Sequence, residues 1–363
     1  MQYLLGGAAA IIAAAAAWSL LHAIPASGAG VELSNKLVNQ CARVDVAPGA
    51  EDVTIDPDLG LAFISAADRR GWYAKDAEQS VNPRNGIYAM SMDGSDVRKV
   101  SPPMENFLPH GVSLWRGPNG EKRLFVISHP PTGEELVELF DIAADGALTH
   151  LETISFPQMK SPNDLVAVGP RQFYVTNDQK FDRGFLAAME AYLALPLSNV
   201  AYYDGENGRI AKGGIAYANG INQSADGKTI YVAELLKRRI LVFDRDIETG
   251  ELSRVKALKI NTAPDNIEVS RDGALWVAGH SRIFEFLEHA KDENAKAPSH
   301  VIRLNPRNGL ASDVLISVNG EINASSVGAV WANTLIVGAV FDGHVMVCPM
   351  LEILLRGPAA TQQ

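Results

Sequence analysis

Residues 262–280, TAPDNIEVSRDGALWVAGH, contain a pattern that recurs along the chain and decides the fold. Two polar side chains, Asp265 and Asn266, stand before a short apolar run, an Asp-Gly pair at 272–273 and a second apolar run. An Asp-Gly pair between two such runs is typical of a β-hairpin. The stretch therefore predicts a hairpin whose first strand begins with a carboxylate and an amide.

The same order of polar start, strand, turn and second strand is found elsewhere in the chain. Clear copies begin at Asn163 (NDLVAVGPRQFYVTND) and Asn219 (NGINQSADGKTIYVAE), and weaker ones begin at Glu51, His110 and Ser325. A repeat every roughly 45–60 residues suits the blades of a β-propeller. We therefore predict an all-β, six-bladed β-propeller with a central channel.

Helical segments are few in this prediction. Residues 185–195 (FLAAMEAYLAL) and 286–294 (FLEHAKDEN) are expected to form helices inserted between strands. No linker-like change in composition divides residues 31–363, so we take them as one propeller domain.

The N-terminal segment, residues 1–30, is apolar, and Glu32 is the first charged residue. Its apolar run of roughly twenty residues is about the length that a helix needs to cross a bilayer. The small residues 26–29 also fit a signal-peptide cleavage site. We expect a hydrophobic helix that serves as a membrane anchor or as a cleaved signal, rather than a buried helix of the domain. In either case the propeller is expected outside the cytosol, anchored to a membrane or secreted.

The charge balance bears on the partners of the protein. The 42 acidic residues outnumber the 32 basic residues, and the formal net charge is −10. This balance argues against a surface that follows nucleic-acid phosphates and is compatible with cation binding. We expect no nucleic-acid partner.

The chain has only two cysteines, Cys41 and Cys348, near opposite ends of the predicted domain. They are either two unrelated thiols or a disulfide. A disulfide requires the two ends of the fold to meet, as they do in a closed ring.

Equivalent positions of successive blades form a ring around the channel, so the polar starts should meet at one mouth. The side chains expected there come from four blades and carry carboxylate or amide oxygens: Glu51, Asp52, Asn163, Asp164, Asn219, Asp265 and Asn266. Such an all-oxygen set suits calcium better than zinc. The alternative for each residue is an Asx turn at the entry of a strand.

Several of these segments closely resemble the paraoxonase/arylesterase family, in order and from about Cys41 to Cys348. They are EDVTIDPDLGLAFIS, LPHGVSLW, SPNDLVAVGP, FYVTND, YANGIN, YVAELL and DNIEVS. The resemblance implies a six-bladed propeller with two calcium ions in its channel, acting on aryl esters and lactones. It also implies that a disulfide joins Cys41 to Cys348.

The resemblance further implies the residues that hold each ion. The catalytic calcium is expected on Glu51, Asn163, Asn219, Asp265 and Asn266. The structural calcium is expected on Asp52, Asp164 and the backbone carbonyl of Val112.

Two histidines, His110 and His129, match a pair that the resemblance implies is catalytic. His110 is expected to deprotonate the attacking water with His129 as its partner, a role that suits imidazole because its pKa lies near neutrality. Packed histidines are the alternative, and Glu51 is a competing base. The remaining candidates, His280, His289, His300 and His344, have no metal-binding spacing and are expected to be structural or exposed.

Two features differ from the family and bear on the substrate. Tyr217 stands where relatives commonly have Phe, and it is expected to add a hydroxyl to the wall of the pocket. Residues 66–86 resemble the family least and are expected to lie over the site. Substrate preference is therefore the property that the resemblance predicts least well.

The predicted function is calcium-dependent hydrolysis of small-molecule esters and lactones. Calcium would polarise the carbonyl while a histidine activates water. Two alternatives stay open: a sugar-lactone hydrolase of the gluconolactonase type, and a non-catalytic binding propeller that calcium only rigidifies. The chain has no G-x-S-x-G motif that would indicate a serine hydrolase.

Overall fold

A computed structural model describes residues 23–73, 82–181 and 184–350, together with positions 17, 18 and 21. In these residues 24 strands form six four-stranded antiparallel sheets. The first strands of neighbouring sheets pack against one another in a closed circle. The protein is thus a six-bladed β-propeller, which confirms the predicted fold class.

The first strand in the chain, β1 (Ala42–Asp45), belongs to the last blade. The strands of blades one to three follow in chain order: β2 (Ala50–Asp56), β3 (Leu61–Ala66), β4 (Gly86–Ser91) and β5 (Arg98–Lys99); β6 (Pro109–Arg116), β7 (Lys122–Ser128), β8 (Leu136–Ile142) and β9 (Leu148–Ile154); β10 (Pro162–Ala167), β11 (Phe173–Asn177), β12 (Ser198–Tyr203) and β13 (Gly208–Ile215). The strands of blades four to six are β14 (Ala218–Gln223), β15 (Thr229–Glu234), β16 (Arg239–Arg245) and β17 (Leu252–Lys259); β18 (Ala263–Val269), β19 (Leu275–His280), β20 (Ser299–Leu304) and β21 (Ala311–Ser317); β22 (Ser325–Trp331), β23 (Thr334–Ala339) and β24 (His344–Pro349) with β1.

The described helices are short: α1 (Ile24–Ser27), α2 (Arg69–Tyr73), α3 (Gly184–Tyr192) and α4 (Ile283–Lys291). Both predicted insertions are present, as α3 and α4, with shifted ends. Helices α2, α3 and α4 each join the second strand of a blade to its third. Because the second strand of an antiparallel blade returns to the end where the first strand began, these helices lie at the same end of the ring as the polar strand starts.

Most of the predicted N-terminal hydrophobic helix lies outside the described residues. Within the part of the chain that is described, no helix combines the length and apolar character needed to span a bilayer.

The apolar core is divided among the six interfaces between blades. Six clusters of buried side chains each join two neighbouring blades. At one interface, for example, the ring centroids of Phe125 from β7 and Phe173 from β11 are 5.8 Å apart. The apolar faces of the blades are therefore buried against each other, away from the axis of the ring, and the channel itself can be polar.

Each innermost strand has an irregular register near its start. The shifts fall at Ala50/Asp52, Pro109/Val112, Pro162/Leu165, Ala218/Ile221, Pro264/Ile267 and Ser325/Val327. A bulge interrupts the strict alternation of side chains and can re-aim a side chain. The polar residues of the repeat lie in or beside these six bulges.

Two glycines allow the innermost strands to approach closely at the bulges. A Cβ on Gly111 would come within 2.7 Å of the Asp164 Cα, and one on Gly220 within 2.4 Å of the Asp265 carbonyl oxygen. Any side chain at these positions would push neighbouring blades apart, which explains why His110 and Asn219 are each followed by glycine.

The ring is closed by the pairing of β1 with β24, in which Ala42 pairs with Val347 and Asp45 with His344. The first strand therefore completes the last blade. Cys41 and Cys348 form a disulfide across this closure, over a sequence separation of 307 residues. The predicted disulfide is confirmed.

Removing this crosslink should destabilise the ring. For the double variant Cys41→Ala, Cys348→Ala we expect the free energy of unfolding to fall by about 3–5 kcal/mol, because the unfolded chain is no longer closed into a long loop. A urea titration of the oxidised wild type and the variant measures the difference. Reductant should lower the stability of the wild type and leave the variant unchanged, and equal stability of the two oxidised proteins would contradict the prediction.

Candidate metal centre and histidine pair

The seven oxygen-bearing side chains predicted at the channel mouth are all buried in the structure: Glu51, Asp52, Asn163, Asp164, Asn219, Asp265 and Asn266. The Nδ2 of Asn266 donates to Oε1 of Glu51 at 3.1 Å, which links blade five to blade one across the channel. Ser326 of blade six donates its hydroxyl to the backbone carbonyl of Glu51 at 2.5 Å. The bulges of separate blades therefore converge on Glu51.

Three amide oxygens of this group, the Oδ1 atoms of Asn163, Asn219 and Asn266, are buried and have no hydrogen-bond partner in the described structure. Each buried acceptor left without a partner costs about 1–3 kcal/mol. Three of them in one ring are the arrangement expected where a cation supplies the missing partner.

The carboxylates around these amides are also out of water. Burial, opposed by the charge of Arg69 and assisted by the negative charges of Asp52 and Asp265, raises the pKa of Glu51 to about 8. The second oxygen of Asp265 lies 2.9 Å from Nε2 of His280. A bound cation would relieve the repulsion between these acids.

Asp52 and Asp164 line a polar cavity of about 90 Å³ with Val112 and Glu268. Oδ2 of Asp52 accepts the N–H of Val112 in the next blade at 2.7 Å, and Oδ2 of Asp164 accepts the N–H of Ile221 in the blade after its own at 2.7 Å. Burial raises the pKa of Asp52 to about 7 and that of Asp164 well above its usual value. The contact seen for Val112 is made by its N–H, and the role predicted for its carbonyl stays a prediction.

The chemistry of these donors fits a hard cation. Among the described residues no three His, Cys, Asp or Glu side chains form a metal-binding group by themselves. The donors gathered here are instead carboxylates mixed with amide oxygens, and oxygen donors of this kind are the ligands that calcium takes.

The two predicted histidines form a hydrogen-bonded pair beside this ring. Nδ1 of His110 lies 2.8 Å from Nε2 of His129, and Nε2 of His110 lies 3.8 Å from Oε2 of Glu51. On its other side, Nδ1 of His129 lies 2.5 Å from Oε2 of Glu135. Burial lowers the pKa of His110 well below its usual value, and Arg69 and His129 contribute to the lowering.

Arg69, the first residue of α2, is a site residue that the sequence analysis missed. Its side chain is buried, and it donates from Nη2 to the carbonyl of Pro109 at 3.0 Å and to Oε2 of Glu51 at 3.4 Å. It lies in the segment 66–86, which stood out only because it resembles the family least. No repeat or motif marked it.

The four remaining histidine candidates are all buried: His280, His289, His300 and His344. None is exposed, and His280 contacts Asp265 within the site. The sequence did offer one signal for His280, because it stands at the end of a predicted second strand. That end of each blade faces the channel mouth.

Tyr217 directly precedes β14, which carries Asn219. It is half-buried and has a positive φ of 64°, uncommon for a residue with a side chain. Its contribution to a substrate pocket stays a prediction.

Comparison of the sequence and of the fold with known proteins shows which proteins this chain resembles. The sequence model of one family, described as arylesterase, matches residues 40–350. Human serum paraoxonase/arylesterase 1 is 34% identical over 307 residues, which cover 81% of this chain and 84% of that protein. A luciferin-regenerating enzyme shares the fold with a TM-score of 0.54 at 16% identity, over 87% of this chain and 95% of its own. A putative gluconolactonase does so with a TM-score of 0.53 at 15% identity, over 85% and 92%.

The raised pKa values predict how the metal-free protein responds to pH. Glu51 titrates near 4.5 when unfolded and near 8 in the fold, and Asp52 near 3.8 and near 7. Between these values the folded protein retains protons that the unfolded chain has lost, so raising the pH from about 5 to about 8 favours unfolding. We expect the Tm measured with a chelator to fall across this range.

The matched measurement is the same pH series with saturating calcium. A cation bound at these acids would stabilise their ionised forms, so with calcium the protein should lose less stability over that range, and the gap between the two Tm curves should widen with pH. A chelated protein with a constant or rising Tm from pH 5 to pH 8 would contradict the prediction.

Proposed function

Because the chain belongs to the arylesterase family, we propose that it is a calcium-dependent hydrolase of carboxylic esters, including aryl esters and lactones. The observation that carries the proposal is the set of three buried amide oxygens without partners beside the carboxylates of Glu51 and Asp265. A scaffold of packed blades alone does not require unsatisfied acceptors in its channel. They are explained if the channel is built to hold a cation.

The proposed ligands divide into two sets. The catalytic calcium is held by Glu51, Asn163, Asn219, Asp265 and Asn266, and the structural calcium by Asp52, Asp164 and the carbonyl of Val112. An ion held there would supply Lewis-acid polarisation of the ester carbonyl and charge stabilisation for the developing oxyanion. Asn266 also holds the Glu51 carboxylate in place through its Nδ2.

His110 is the proposed general base. Its lowered pKa keeps the imidazole neutral at neutral pH, so that it can accept a proton from the attacking water. His129 holds the ring through the 2.8 Å contact with Nδ1. Glu51, the competing base, is engaged by Asn266 and Arg69 and is one of the proposed calcium ligands.

The two alternatives have less support. The putative gluconolactonase shares only the fold with this chain, and its identity of 15% carries no substrate. A binding propeller that calcium only rigidifies would have no use for a buried histidine pair 3.8 Å from a channel carboxylate. Hydrolysis of phenyl acetate and a panel of simple lactones, with and without a chelator, separates the three functions.

Replacement of Asp265 by Asn tests the metal-centred proposal. The variant keeps the shape of the side chain and removes its charge, so we expect kcat/KM for phenyl acetate and for lactones to fall together by about 100-fold or more. Calcium content should fall as well. Steady-state rates and metal analysis on the same preparations measure both quantities.

Asp226→Asn is the matched control, because Asp226 is an exposed carboxylate in the hairpin between β14 and β15. It should keep both rates and calcium. His110→Gln should slow hydrolysis without releasing calcium. Near wild-type turnover by Asp265→Asn on every ester and lactone would refute the metal-centred function.

We also propose that the protein works outside the cytosol, anchored to a membrane or secreted. The apolar segment 1–30 and the disulfide between Cys41 and Cys348 support this location. Cell fractionation with intact-mass measurement distinguishes the two forms, since an anchored protein resists carbonate extraction and a cleaved one begins near Gly30. Full-length chain found soluble in the cytoplasm with reduced cysteines would refute both.

A further inference from the structure

The hairpin between β7 and β8 brings a carboxylate against the histidine pair. Ser128 and Leu136 are the last paired residues of this hairpin, and its loop turns where the N–H of Gly133 donates to the carbonyl of Pro130 at 3.0 Å. His129 and Glu135 are the next residues outward from that pair, one on each side of the loop. They therefore face each other, and Oε2 of Glu135 lies 2.5 Å from Nδ1 of His129.

This contact decides where the protons of the pair lie. An ionised carboxylate offers only acceptors, so Nδ1 of His129 must carry the hydrogen. With both rings neutral, as in the resting pair that a general base requires, the one N–H of His129 is at Nδ1 and its Nε2 is an acceptor. The 2.8 Å contact with His110 is consequently donated by Nδ1–H of His110.

The unprotonated nitrogen of His110 is then Nε2. This is the atom 3.8 Å from Oε2 of Glu51, on the side of the proposed catalytic calcium. With the reverse order of protons, Nε2 of His110 would carry a hydrogen and could not accept one from water. The order of donors and acceptors in the hydrogen bonds that link Glu135, His129 and His110 therefore determines whether Nε2 of His110 can accept a proton.

We propose that Glu135 is a positioning residue for hydrolysis, holding His129 in the tautomer that makes Nε2 of His110 the proton acceptor. This inference rests on the proposed function. As the oxygen of water bonds to the ester carbonyl carbon, one of its protons moves to Nε2 of His110. When the bond to the leaving oxygen breaks, that proton passes to the leaving oxygen, so acid and alcohol are formed and His110 is restored.

The surroundings of Glu135 hold it in this position. Its backbone carbonyl accepts the hydroxyl of Ser155 at 3.0 Å, and its side chain is 27% exposed. A substitution there is thus compatible with folding. The adjacent Glu134 is exposed and is contacted by the hydroxyl of Thr132, so it carries the same charge without touching the pair.

The experiment compares Glu135→Gln, Glu135→Asp and the matched control Glu134→Gln in the calcium-loaded protein, with phenyl acetate and a lactone as substrates. For Glu135→Gln we expect kcat to fall by about 10- to 100-fold, the effect typical of losing the partner that orients a functional histidine. KM should change by less than about threefold, since Glu135 does not touch the substrate. Glu135→Asp should restore part of the rate, and Glu134→Gln should match the wild type.

A second readout is independent of activity. Nitrogen-15 NMR of histidine-labelled, substrate-free protein reports which ring nitrogen of His129 carries the hydrogen. In the wild type and in Glu134→Gln it should be Nδ1, and in Glu135→Gln the Nε2-protonated form should appear. Wild-type kcat in Glu135→Gln, or an unchanged His129 tautomer there, would overturn the proposal.

His110→Gln separates this inference from the proposed function. If His110→Gln slows turnover while Glu135→Gln does not, only the role of Glu135 is wrong. If the wild type hydrolyses neither substrate, the proposed function fails, and if His110→Gln keeps full turnover, only the proposed base fails. In either case the role of Glu135 fails as well.

Discussion

Closure of the ring is the constraint on which the site depends. The contact between Asn266 and Glu51 joins residues 215 positions apart in the sequence. The two residues belong to blades five and one, which are not neighbours in the ring. It exists only because β1 completes the last blade and returns the chain to the start of the ring. An open ring would lose the apolar interface between blades six and one, and with it the alignment of Glu51 against the other bulges.

The closed ring brings several buried carboxyl groups together at the channel mouth, which is electrostatically unfavourable. Burial raises the pKa values of Glu51 and Asp52, the nearby charge of Asp265 also raises both, and Arg69 is the nearby cation that lowers them. Taking unpaired ions out of water is costly, so such a cluster is stable only if the rest of the fold supports it. The six interfaces between blades provide that support from outside the channel, and they hold the oxygen donors together at its mouth.

The sequence predicts the parts of this architecture that repeat. Blade number, strand starts and the oxygen donors Asn163, Asn219 and Asp265 follow from one recurring pattern, because each blade places the same position in a bulge at the mouth. Arg69, Glu135 and His280 could not be found in this way. They lie at the end of the second strand of their blades or in the connection to the third strand. Loop lengths differ there and no position recurs, so the repeat does not predict what these residues contact.

This difference separates two kinds of site residue. The starts of the innermost strands are fixed by tight packing, as Gly111 and Gly220 show, and they carry the proposed ion ligands. The connections after the second strands reach the same mouth without that restriction, and they carry the partners of the ligands and of the base. Blade two combines the two kinds, because its bulge supplies the side chain of His110 where the bulges of blades one, three, four and five supply carboxylate or amide side chains, and its hairpin supplies His129 and Glu135. A base at this position would stand beside the proposed calcium, because both would belong to the same ring. The order of protons on the histidine pair could then be set from a loop that changes without disturbing the ring.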